Sequence, residues 1–167
     1  HLVIIEDAGH EPMQDQTERT NTLLNSFLTA TDDSVTEFFA PRPAQPTLTS
    51  TRTGKCSAES GKIFEGDYRS IELKDCSNIT IRNARMDRLN VLNSRLNLID
   101  SDISGKEVGL QADNSEITIT NGKISAAIAI ATTDSRLDIA GVHLKGTRAA
   151  VKGVNSKLVI SVSQMDS

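Results

Sequence analysis

His10 is the residue best placed by its surroundings to do chemistry in this 167-residue chain. It lies in Glu6-Asp7-Ala8-Gly9-His10-Glu11-Pro12, where Gly9 permits a tight turn and Pro12 keeps a helix from starting earlier. An imidazole in such a loop can act as a general base if a nucleophile stands beside it and an acid orients its other nitrogen. Neither partner can be assigned here, and no Gly-x-Ser-x-Gly nucleophile elbow occurs in the chain. His1 and His143 are weaker candidates. No Cys or Asp at ligand spacing accompanies His143, so neither a metal site nor a cofactor is expected. Cys56 and Cys76 are the only cysteines. They either form a disulfide or are two buried thiols acting as small hydrophobes.

Most of the remaining polar pattern reads as architecture. Five times the chain repeats one phrase: Cys76-Ser77-x-Ile79-x-Ile81, Asn93-Ser94-x-Leu96-x-Leu98, Asn114-Ser115-x-Ile117-x-Ile119, Asp134-Ser135-x-Leu137-x-Ile139 and Asn155-Ser156-x-Leu158-x-Ile160. The serines are 17, 21, 20 and 21 residues apart, a period in which each repeat is one turn of a solenoid. Cys56 and Cys76 are separated by one such period, which could set them on adjacent rungs. Within each phrase the aliphatic residues alternate, so they share one strand face and stack on the next coil. Met86, Ile103, Ile124, Leu144 and Met165 form a further apolar series, and Leu89, Leu110, Ile130 and Val151 mark a third strand. Asn83, Asp100, Asn121 and Gly141 supply the turns between strands. The series Asn93, Asn114, Asp134 and Asn155 is expected to stack and hydrogen-bond from coil to coil instead of binding a ligand.

Three segments follow. Residues 1–28 read as a strand (Leu2 to Ile5), the His10 loop and an amphipathic helix carrying Leu23, Leu24, Phe27 and Leu28. Residues 29–53, with Pro41, Pro43 and Pro46, read as a linker. Residues 54–167 read as the solenoid, opening on a less regular coil around Ile63, Ile71 and Leu73. The fold class expected is mainly β: a parallel β-helix of about 20–21 residues per coil, preceded by a strand-loop-helix remnant.

Composition narrows the function. A net charge of −4, with Lys and Arg scattered singly, gives no basic stripe for nucleic acid. The longest apolar run, Ala126 to Ala131, is far shorter than the roughly 20 residues that span a bilayer, so no membrane span is expected. Asp87, Asp100, Asp102 and Asp113 do not converge, and one tyrosine, Tyr68, with no tryptophan leaves little surface for stacking sugar rings. The chain starts at His1 and enters a strand at once, which suggests a piece of a longer protein. A disulfide would favour an exported, periplasmic or extracellular location.

The phrase Ser77-Asn78-Ile79-Thr80-Ile81-Arg82-Asn83 and its copies resemble the repeats of right-handed parallel β-helix proteins. The segment Leu2 to Leu28 resembles the C-terminal end of α/β-hydrolases, in which the last strand delivers the catalytic histidine to a loop before the final helix. That resemblance implies His10 as general base, with serine and acid partners upstream of His1. The chain is thus expected to be the C-terminal portion of a serine hydrolase, inactive alone, with an appended β-helix that meets a protein or a surface glycan. The alternative is a non-enzymatic β-helix binding module whose N-terminal segment caps it or forms a homodimer through the strand Leu2 to Ile5. A carbohydrate-active β-helix enzyme is the third reading.

Overall fold

The computed structural model describes Thr22 and residues 50–166. The expected strand Leu2 to Ile5, the His10 loop, the helix around it apart from Thr22, and the proline-bearing stretch lie outside the described residues. So, consequently, does nearly all of the segment that carries the hydrolase resemblance.

Among the described residues nine strands follow one another: β1 (Thr53–Ser57), β2 (Ile63–Lys74), β3 (Ile79–Leu92), β4 (Arg95–Ser104), β5 (Val108–Asp113), β6 (Glu116–Thr133), β7 (Arg136–Val154), β8 (Lys157–Ser161) and β9 (Gln164–Asp166). Every pairing is parallel, and each strand pairs with the strands one coil before and after it. The result is a β-solenoid of about six turns. The long strands run round corners, so one strand supplies two or three faces of a coil.

The expected apolar ladders are the interior. Ile79, Leu96, Ile117, Leu137 and Leu158 stand in register, as do Ile81, Leu98, Ile119, Ile139 and Ile160. Tyr68, Met86, Ile103, Ile124, Leu144 and Met165 form another column, and Ile71, Leu89, Leu110, Ile130 and Val151 a third. Burying each such side chain contributes about 1.5–3 kcal/mol, which offsets the conformational entropy lost on ordering the coil. In the opening coil Ile71 and Leu73 point inward, but Ile63 is exposed and Phe64 takes the interior place, in register with Ile81. Alternation decides this: along a regular stretch of strand, adjacent side chains point to opposite faces, so Ile63 points out where Phe64 points in.

Two polar columns hold the corners. Asp75, Asn93, Asn114, Asp134 and Asn155 all adopt the left-handed conformation, φ 46–55°, which Asn and Asp accept more readily than other non-glycine residues. Asn93 Nδ2 donates to Asp75 Oδ1 at 2.6 Å and Asn114 Nδ2 to Asn93 Oδ1 at 3.0 Å, so part of this column is a hydrogen-bonded ladder. Asn83, Asp100, Asn121 and Gly141 turn the next corner, also at positive φ.

Beside the first column runs a serine ladder. The backbone N–H groups of Ser94, Ser115 and Ser135 donate to the hydroxyls of Ser115, Ser135 and Ser156, while the hydroxyls of Ser94, Ser115, Ser135 and Ser156 donate to the carbonyl two residues earlier. Each buried hydroxyl is thereby satisfied in both roles. The ladder begins at Cys76, not at Ser77, because the Cys76 N–H donates to Ser94 Oγ at 2.9 Å. Asp75 and Cys76 therefore occupy the places of Asn93 and Ser94, and the first phrase carries one extra residue before Ile79. In the coil before, the place of Cys76 is held by Glu59 and not by a serine. There Cys76 is joined instead to Cys56 by a disulfide, with Cα atoms 6.4 Å apart.

Candidate functional site

The site arises from a change in coil length. Met86 pairs with Ile103, whereas Leu89, only three positions further along the same coil, pairs with Leu110. Four extra residues therefore fall between Ile103 and Leu110, and later coils keep the greater length. The insertion projects as a lip, residues 105–107, over the shorter coils beneath.

This lip is fixed in place. Gly105 N–H donates to Ser125 O, while Lys106 O and Glu107 O accept from the N–H groups of Ala127 and Ile128 at 3.1 and 2.8 Å. Arg148 Nη2 also reaches Glu107 Oε2 at 3.0 Å. Underneath, a Cβ at Gly105 would stand 2.5 Å from Asp87 O, so the lip rests directly on the shorter coil and only glycine fits there.

Under the lip lies a cleft of about 640 Å³, lined by Thr53, Arg69, Ser70, Glu72, Asp87, Arg88, Asn90, Ser104, Lys106 and Val108. Arg69, Arg88 and Lys106 bring three cations to it against two carboxylates. The side chains of Arg69, Arg88, Lys106 and Asp87 make no hydrogen bond or ion pair with another described residue. Elsewhere on the surface several opposite charges on neighbouring coils are matched, among them Arg85 with Asp67, Arg95 with Glu116 and Arg82 with Glu65. Of the charges that line the cleft, only Glu72 is matched in this way, by Lys55. Its chemistry suits an anion flanked by hydroxyls: guanidinium groups for the charge, and Asp87, Asn90 and Ser70 to accept or donate hydrogen bonds.

The other candidates are dispersed. His10 lies outside the described residues. His143, on β7, contacts Asp166 of β9 through Nε2 at 2.7 Å, a pairing between neighbouring coils that spacing within one repeat does not reveal. Asp100 accepts from Asn121 and Asp113 from Gln111, both structural uses, while Asp87 lines the cleft. Among the described residues, no group of three His, Cys, Asp or Glu is placed to hold a metal ion, and no helix is long and apolar enough to cross a membrane.

Two carboxylates are held below their ordinary range. For Asp67 the hydrogen bonds from Arg85 are the main cause, at 2.9 and 2.6 Å, and they raise Arg85 in turn. For Asp166 the main cause is His143, then Gln164. A depressed folded value favours the native state above the ordinary carboxylate pKa, and this contribution is lost as pH falls through the lower folded value. Urea unfolding midpoints should therefore drop on acidification below about pH 4, and Asp67→Asn should make that drop shallower. An unchanged acid limb in Asp67→Asn would show that the Asp67–Arg85 pair contributes nothing to it.

The cleft was not foreseen from sequence, although its signal was present: the serine spacing changes from 17 to 21 where the lip is inserted. No family model, curated protein or solved structure matches the chain.

Proposed function

We propose that the solenoid is a rigid, non-catalytic binding module and that the cleft beneath the lip takes a polyanionic surface glycan, one bearing carboxylate or sulfate groups. One observation carries this reading: Arg69, Arg88 and Lys106, unpaired among the described residues, converge on a single polar cleft of a protein whose net charge is −4. A cleft walled by one coil step and tied by backbone bonds requires no reordering to bind, so little entropy opposes capture. With no tryptophan in the chain, recognition of such a ligand rests on charge and hydroxyl contacts rather than on stacking. The Ala8-Gly9-His10-Glu11-Pro12 loop supports a wider reading, in which this module serves as the accessory of a serine hydrolase. His10 is then the general base, and its serine and acid come from residues upstream of His1.

Titration calorimetry with a soluble polyuronate tests the cleft. The Arg69→Ala/Arg88→Ala double variant should bind about 10–100-fold more weakly, since each charge-assisted contact contributes about 1.5–3 kcal/mol at most and salt screens part of it. Affinity of the unaltered chain should fall with added salt. Equal affinity for a neutral glucan, or no loss in the double variant, would exclude the cleft as a polyanion site.

A further inference from the structure

The cleft does not end beneath the lip. A second hollow of about 430 Å³ continues it along the same outer sheet face, and Glu72, Arg88 and Asn90 line both, so the two form one groove that follows the strands. Register sets its far part: Lys74, Leu92 and Asp113 stand side by side on β2, β3 and β5, two positions beyond Glu72, Asn90 and Gln111. Arg88 and Leu92 lie four residues apart on β3, about 13 Å at about 3.3 Å per residue. That is longer than a single sugar ring.

Leu92 is out of place on such a surface. It is 44% exposed, and the other large apolar side chains exposed among the described residues lie in the opening coil, at Ile63, or from Val154 onward. Leu92 has a neighbour in register on each side, Lys74 and Asp113, so its exposure belongs to an inner coil and not to an open edge. Lys74 beside it is unpaired: its ammonium makes no hydrogen bond or ion pair with another described residue.

We infer that the groove binds the interior of one linear acidic glycan, with an anionic sugar under the lip, the chain running along β2 and β3, the C–H face of a later ring on Leu92 and a second anionic group at Lys74. The inference rests on the function proposed for the lip cleft and extends it from one anionic group to a run of several sugars.

Charge selects this occupant. Residues 50–166 carry sixteen Lys and Arg against fourteen Asp and Glu, so this part of the chain is net positive although the whole is −4. Of the three carboxylates along the groove, two are partnered: Glu72 stands 3.8 Å from Lys55, and Asp113 accepts from Gln111 at 3.2 Å. Arg69, Arg88 and Lys106 at one end and Lys74 at the other are left for the ligand. An isolated phosphate reaches only one of these ends, whereas a polymer that repeats its charge reaches both. Single-stranded nucleic acid repeats its charge too, but no aromatic side chain lines the groove for bases to stack on. A sugar ring needs none, because an aliphatic side chain suffices to take its C–H face out of water.

Titration calorimetry of the full chain with oligouronates of defined length, in about 0.15 M salt so that charges more than about 8 Å apart are screened, tests the inference. Affinity should rise about tenfold from the disaccharide to the hexasaccharide and then level off. A long chain also offers more registers, so variants decide. Lys74→Gln/Leu92→Ser, at two exposed positions, should weaken the hexasaccharide about tenfold and leave the disaccharide within about twofold, whereas Arg69→Ala/Arg88→Ala should weaken both. Equal change at both lengths, or none at either, in the Lys74/Leu92 variant would overturn the groove and leave the lip cleft standing. Failure of every oligouronate to bind would overturn both readings, and tighter binding of oligothymidylate or oligoglutamate of the same charge would overturn the glycan as occupant.

Discussion

Gly122→Ala should be among the most damaging single substitutions in the solenoid, lowering stability by at least about 3 kcal/mol. Gly122 follows Asn121 at a corner and has φ 111°, and a Cβ placed there would lie 2.1 Å from Ser101 O on the preceding coil. The obstacle is backbone, not the free end of a side chain, so relief requires separating two coils that are hydrogen-bonded to each other. Gly61→Ala is the matched control. It has φ 74° but open space around the added methyl, so it should cost only the left-handed penalty of about 1–2 kcal/mol. For a domain of this size, a loss of about 3 kcal/mol corresponds to a fall in Tm of about 6–12 °C. Equal losses in the two variants would show that torsional strain, and not the collision with Ser101, makes glycine necessary.

Leu96→Ala should cost about 3–5 kcal/mol and Leu158→Ala about half as much. The two leucines occupy the same interior column. Leu96, 1% exposed, is stacked between Ile79 and Ile117, whereas Leu158 has Leu137 on one side and nothing further among the described residues on the other. The same deletion thus leaves a closed cavity in one case and an open notch in the other. Chemical denaturation, with the slope checked for constancy, measures both. A cost at Leu158 equal to that at Leu96 would mean that the last coil is as enclosed as the inner ones.

The solenoid was legible because its physics is repetitive. Every interior residue meets its counterpart one coil away, so aliphatic spacing in the sequence converts directly into stacking in space. The corner residues Asn83, Asp100, Asn121 and Gly141 were legible for a related reason: a left-handed turn selects residue types that tolerate it. What escaped were the places where the repeat is broken. The extra residue before Ile79 shifts the ladder position from Ser77 to Cys76, and pattern matching, which anchors on Ile79 and Ile81, cannot see on which side of the serine an insertion falls. The cleft depends on where four residues are added within a coil, and the serine spacing reports only the total. His143 with Asp166 requires a contact between neighbouring coils at positions that no repeat singles out. His10 rests on a local motif alone.

Since each coil is bonded only to the coil before it and the coil after it, heredity can lengthen or shorten such a molecule by whole layers. Excising the stretch from Ser94 through Asn114 would bring Cys76 under Ser115 and Ile79 under Ile117, leaving every column continuous but removing Ser104, Lys106 and Val108 from the cleft. A deletion confined to a corner, such as the lip, would leave the columns in line, whereas one within a strand would shear them. Tolerated length variation among descendants of this chain should accordingly come in whole coils or at corners, and recognition could be gained or lost in one step without redesign of the scaffold.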